Sequence, residues 1–111
     1  MNWRELKFDR PISIEKLVAE FRLGSTQIFP YTQCKIRIWE RKDGTFVGNS
    51  NILIKNYADN TLDSTAGLGN TIDETLNDTI TATLQLIKDY EQKYGRKLTD
   101  EDYGYSASDD F

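Results

Sequence analysis

The stretch that most constrains this chain runs from residue 67 to residue 95. It reads Gly-Leu-Gly-Asn-Thr, then a long helical repeat, then a glycine that ends it. Ile72, Leu76, Ile80, Leu84 and Ile87 recur at helical spacing, widened by Leu86, Tyr90 and Tyr94, so one buried face is expected. Thr71-Ile72-Asp73-Glu74 has the form of a capping box: the threonine oxygen accepts from the Glu74 amide, and the Glu74 carboxylate reaches back to the Thr71 amide. Asp73, Glu74 and Asp78 near the start and Lys88, Lys93 and Arg96 near the end both suit the helix dipole. Thr75, Thr79, Thr81 and Thr83 interrupt the pattern. They are poor helix formers, so packing must carry this helix.

Upstream, the chain reads as material for that helix to cover. Residues 1–12 fit either a short strand or an irregular arm, and Pro11 opposes a helix running through it. From Ser13 the spacing of Ile14, Leu17, Val18 and Phe21 predicts a short helix, with Glu15 in its first turn and Gly24 as its stop. Residues 25–32 read as a loop containing Pro30, with a short extended piece over 27–29. From Gln33 the period changes to two. Cys34, Ile36 and Ile38 alternate with Lys35, Arg37 and Trp39, and Asp43-Gly44 signals a hairpin.

With Asp43 and Gly44 as the two turn residues, Ile38 faces Asn49 and Gly48 falls opposite Trp39. One face then holds Cys34, Ile36, Ile38, Val47 and Leu53; the other holds Lys35, Arg37, Trp39, Arg41, Phe46, Ile52 and Ile54. The return strand runs over 45–57, Ala58-Asp59-Asn60 makes a second turn, and 61–66 form a third strand. The expected fold is α+β: a three-stranded antiparallel sheet covered by a short N-terminal helix and a long C-terminal one. Residues 1–95 form the domain, and 96–111 an acidic tail bearing Tyr103, Tyr105 and Phe111.

Composition narrows the function. At 111 residues with 38% apolar and 29% charged side chains, the chain suits one soluble domain with one modest core. No run is long and apolar enough for a membrane span, a single cysteine fits a reducing compartment, and a cytoplasmic location is expected. Two of the 14 basic and five of the 18 acidic residues fall from Arg96 onward, so that stretch carries −3 of the net −4. This is not the basic footprint of a protein that grips a phosphate backbone, and direct nucleic-acid binding is not expected.

The order helix, three strands, long helix, with Gly67, Gly69 and Thr71 before the last helix, resembles the double-stranded-RNA-binding domain over residues 13–95. That family has lysines at the helix start to hold phosphates. Asp73 and Glu74 stand there instead, so the resemblance implies the fold and not the RNA activity. The strand-to-capped-helix junction is also similar to HicB-type antitoxins and small phage-encoded inhibitors.

Chemistry is sparse. There is no histidine, so the common serine and cysteine triads and histidine-based zinc sites are unavailable. Cys34 reads as a small core residue rather than a nucleophile. Asp63 and Glu74 have the spacing of an EF-hand loop, but Leu68 occupies the required glycine position and the match fails. No cofactor, metal or enzymatic activity is expected.

Two sites remain. The loop of Gly67, Gly69, Asn70 and Thr71 offers helix-start amides to a phosphate or carboxylate, with Trp39 or Tyr57 to stack a base. The same glycines also suit a tight turn. The face carrying Arg37, Trp39, Arg41 and Phe46 has the composition of an interface, and Tyr103, Tyr105 and Phe111 could dock by their rings. The leading reading is a non-catalytic protein-binding module, inhibitor- or antitoxin-like. Its partner would be a basic nucleic-acid-binding protein or nuclease, or a second copy. The alternative is a small-ligand binder that sequesters a nucleotide or similar anion.

Overall fold

The computed structural model describes residues 2–24 and 34–106. The extended piece read over 27–29, and Phe111, lie outside the described residues. A 3-10 turn at Trp3–Glu5 opens an otherwise irregular arm. Among the described residues seven strands, one α-helix and a second 3-10 turn (Asp100–Asp102) follow: β1 (Glu15–Leu23), β2 (Cys34–Arg41), β3 (Phe46–Ser50), β4 (Ile52–Asn56), β5 (Thr61–Asp63), β6 (Ala66–Gly69), α1 (Ile72–Tyr94) and, after that turn, β7 (Tyr103–Tyr105). The protein is α+β with antiparallel sheets, but there are two of them: a four-stranded sheet in the order β1-β2-β3-β6 and a three-stranded sheet in the order β5-β4-β7.

The short N-terminal helix is replaced by β1, which pairs along β2. Its inward residues Ala19, Phe21 and Leu23 lie across from Ile38, Ile36 and Cys34. An irregularity between Leu17 and Ala19 breaks the alternation. Without that bulge the apolar positions would have shown a period of two; with it, Ile14, Leu17, Val18 and Phe21 mimic a helical face. Gly24 follows a strand and stops no helix.

The two sheets are joined at Asn51. Its amide donates to the Lys35 carbonyl at 3.0 Å, its side-chain oxygen accepts from the Lys35 amide at 2.7 Å, and its own carbonyl accepts from the Ser106 amide at 2.9 Å. The run over 46–56 therefore leaves β2 as its neighbour and takes up β7 at one residue. Residues 98–106 accordingly belong to the folded unit. Tyr103 is buried beside β4, and Leu98 packs against the core.

The hairpin joining β2 and β3 is one residue longer than the sequence reading had it. The Arg41 amide donates to the Thr45 carbonyl at 2.9 Å and the Gly44 amide to the Arg41 carbonyl at 3.0 Å. Gly44 adopts φ 85°, the left-handed residue of a three-residue loop. Asp43 holds the loop by accepting from the Thr45 amide and hydroxyl. The slip of one residue moves the return strand to the opposite face. Ile38 pairs with Gly48 and Ile36 with Ser50, so Phe46, Ile52 and Ile54 join the helix side, while Val47 turns outward.

The core holds Cys34, Ile36, Ile38, Ile52, Ile54, Ile87, Tyr90 and Tyr103. Over β3 and β6 the helix sits closer than side chains would allow. Its buried residues there are Thr75, Thr79 and Thr83, one helical turn apart. Beneath them lie Gly48, Gly67 and Gly69, with Gly48 and Gly67 paired directly. A Cβ at Gly67 would stand 2.5 Å from the Thr79 amide nitrogen, and one at Gly48 2.1 Å from the Thr79 Oγ1. Each of the three threonines donates its hydroxyl to the carbonyl four residues back at 2.7–2.8 Å, so none is buried unpaired. The apolar stripe flanks this seam. Ile72, Leu76 and Ile80 are half-buried, and Leu84 is exposed.

Candidate functional site

The helix covers one face of the four-stranded sheet and does not reach over the other. Across that outer face the ladder aligns Leu17 with Trp39, Trp39 with Val47, and Val47 with Leu68. These four make an apolar row spanning all four strands. Leu17 is 42% and Leu68 59% exposed, while Trp39 and Val47 are half-buried. Charged and polar rows border it. Glu15 lies across from Arg41 on one side; Glu20, Arg37 and Asn49 align on the other. Glu20 accepts from Arg37 Nε at 3.1 Å.

Arg37, Trp39 and Arg41 thus share one surface, as the sequence suggested. Phe46 does not: it pairs with Glu40 on the helix side and packs on the core. Val47 and Leu68 take its place. Sequence reasoning missed them, and it placed Leu17 on a helix. The signal that would have recovered Leu17 is the alternation of Ala19, Phe21 and Leu23 with Glu20 and Arg22.

The helix start is already occupied. The Glu74 amide donates to Thr71 Oγ1 at 3.1 Å, the Asn70 amide to the Glu74 carboxylate at 3.0 Å, and the Leu68 amide to the Asp78 carboxylate at 2.8 Å. The capping box is therefore present, with the carboxylate one residue further upstream than expected. Gly67 and Gly69 are ladder residues, not a free loop. Two carboxylates at these amides would repel an anion. A shallow open depression lies beside them, between the hairpin turn and Asn70, and Arg41 and Thr45 line it. Trp39 lies on the outer face and Tyr57 in the turn after β4, and neither lines this depression.

The helix C-terminus carries a cluster that the sequence did not reveal. Asp102, 1% exposed, accepts from Arg96 Nη1 at 2.6 Å and Nη2 at 2.9 Å. It also accepts from the Thr99 amide at 2.7 Å and the Tyr57 hydroxyl at 2.9 Å. The Arg96 guanidinium, helped by these donors, holds the Asp102 carboxyl well below the usual carboxylate range despite burial. Arg96 also lies over the Tyr94 ring, 5.4 Å from its centroid. The Tyr94 hydroxyl donates to the Lys55 carbonyl at 2.6 Å, and Tyr90 donates to Asp63. This is a clamp that ties the returning chain to the helix end. Tyr103, next in the chain after Asp102, is buried in the core, and Tyr105 stacks on Tyr103 at 6.2 Å while remaining 38% exposed.

Cys34 is fully buried, and burial pushes its thiol up to about 11, which suits a core residue and not a nucleophile. Among the described residues no group of metal-ligating side chains converges, no buried side-chain polar atom lacks a partner, and no helix is long and apolar enough to cross a membrane. No protein-family model matches the chain, and neither a curated protein nor a solved structure shows significant similarity to it.

Proposed function

We propose that this protein is a non-catalytic binding module acting by protein–protein contact through the outer face of its four-stranded sheet. The observation that carries this is the apolar row of Leu17, Trp39, Val47 and Leu68, on the face that the helix does not cover, between rows bearing Arg37 and Arg41. Large rings and arginines around an apolar strip are the residue types that dominate binding energy at interfaces. In a chain of net charge −4, this face carries the basic side chains Arg22, Lys35, Arg37 and Arg41 against Glu15 and Glu20. It therefore suits a partner with acidic groups around an apolar strip. A basic partner would instead be met at the exposed Asp100 and Glu101. An inhibitor or antitoxin that occludes another macromolecule fits either arrangement.

Affinity capture with the full chain, followed by mass spectrometry of protein and small-molecule fractions, tests the reading. A specific protein captured by the native chain and lost with Trp39→Ala or Leu68→Asp, but kept with Lys88→Glu on the helix, supports it. Retention of every captured protein by the first two variants overturns it.

The alternative, an anion held near the helix start, draws on the Arg41-lined depression and loses to the carboxylates already on the amides. Thermal shift against a nucleotide panel separates the two. A ligand at 100 times its Kd adds about 2.7 kcal/mol of stability, several degrees for a domain this size.

A further inference from the structure

We infer that two copies of this chain pair through the free edges of β1, in antiparallel register centred on Phe21. The inference does not depend on the reading of the outer face. A sheet edge presents unpaired amides and carbonyls, and natural edges are usually blocked. The β6 edge is: the Asp78 carboxylate takes the Leu68 amide. β1 has β2 on one side and no strand on the other among the described residues.

The sequence of β1 chooses its partner. A two-fold axis perpendicular to the sheet keeps both helices on the same face, and it must pass through a residue. Centred on Phe21, it sets Glu20 of each copy opposite Arg22 of the other. Ala19 then meets Leu23 of the second copy, and Phe21 meets Phe21. Centring on Glu20 would oppose two glutamates, and centring on Arg22 two arginines. The bulge between Leu17 and Ala19 confines regular pairing to residues 19–23, which is the usual length of a strand.

The monomer leaves this edge electrostatically unfinished. Arg22 stands directly across from Lys35, a like-charged pair, and neither has an ion-pair partner among the described residues. Like charges directly opposite are unfavourable in a sheet. Pairing gives each Arg22 a carboxylate. It also extends the half-buried inner row of Ala19, Phe21 and Leu23 into its copy. The product is a continuous eight-stranded sheet with both helices on one side and both outer faces on the other.

Sedimentation equilibrium of the full chain reads the outcome. Native protein is expected at twice the 12.8 kDa chain mass. Arg22→Glu or Glu20→Arg alone should weaken the dimer by about tenfold or more, because two cross-strand attractions become repulsions. The double exchange should restore it. Melting curves confirm that each variant folds, and amide exchange at those of residues 19–23 whose N–H groups point away from β2 should be slow in native and doubly exchanged protein and fast in the single variants. A native chain that stays monomeric at the highest attainable concentration overturns the proposal. So does a dimer indifferent to Arg22→Glu, or a double exchange that fails to re-form it.

Discussion

At the scale of single residues, the seam between glycine and threonine decides how close the helix can come. Gly67→Ala would drive a methyl into the Thr79 backbone, which cannot rotate away. The expected cost is about 3 kcal/mol, at the upper end for overpacking. Gly48→Ala meets the Thr79 hydroxyl instead, and with Thr79→Ala its nearest remaining neighbours stand at 3.2 and 3.3 Å. The double variant Gly48→Ala/Thr79→Ala should therefore be more stable than additivity predicts, whereas Gly67→Ala should gain far less from Thr79→Ala. Urea titration of the double-mutant cycles measures this, and equal coupling in the two cycles would contradict the steric account. Asp102 supplies a pH test. Its folded pKa is depressed, so its contribution is present above the unfolded value of about 4 and is lost as pH falls below that. Asp102→Asn should lower stability at neutral pH by about 2 kcal/mol and flatten the acid side of the pH profile. An unchanged acid limb would place the linkage elsewhere. The seam was not legible beforehand because threonines in a helix read as weak propensity; only the facing glycines, far away in sequence, give them meaning.

At the scale of elements, α1 was the most legible part of the chain, and the reason is local chemistry. Its cap, its dipole-matched charges and its terminating glycine are all encoded within the segment. Thr71 accepts from the Glu74 amide, and Gly95 at φ 67° closes the helix, its amide donating to the Gln92 carbonyl and that of Arg96 to the Glu91 carbonyl. Thr71→Ala and Gly95→Ala should each cost about 1 kcal/mol and add, since some 23 residues of helix separate them. Marked non-additivity in the melts would mean the two ends do not act independently. β1 was misread because one bulge at Val18 erases the period on which the reading depended. The hairpin was found, but its loop length was not. Asp43-Gly44 is compatible with a two-residue or a three-residue loop, and that single residue moved Phe46 to the core and Val47 to the surface. Arg37, Trp39 and Arg41 keep their shared face despite the slip because they lie before the turn.

At the scale of the whole molecule, the least extent is 21 Å, which is one helix layer on one sheet layer. Among the described residues the outer face therefore has no second cover, and residues 96–106 do not supply one. They return instead to β4, where Tyr103 enters the core and Asp102 binds Arg96. This changes how the acidic terminus must be tested. Removing residues 98–111 takes away a buried tyrosine, a buried carboxylate and a strand. Loss of Tyr103 alone is expected to cost about 3–5 kcal/mol, a large share of the 5–15 kcal/mol that holds a typical domain together. Arg96, Tyr57 and Thr99 act together on Asp102, so their loss is cooperative with it. Such a truncation should melt far below the full chain, and any accompanying loss of binding would report unfolding rather than a missing contact. Removal of residues 107–111 alone spares all of these groups. If that shorter truncation keeps the native melting temperature and abolishes capture of a basic partner, the terminus is itself a contact. If it keeps both, recognition belongs to the folded body, and the apolar row across the sheet is the surface to mutate.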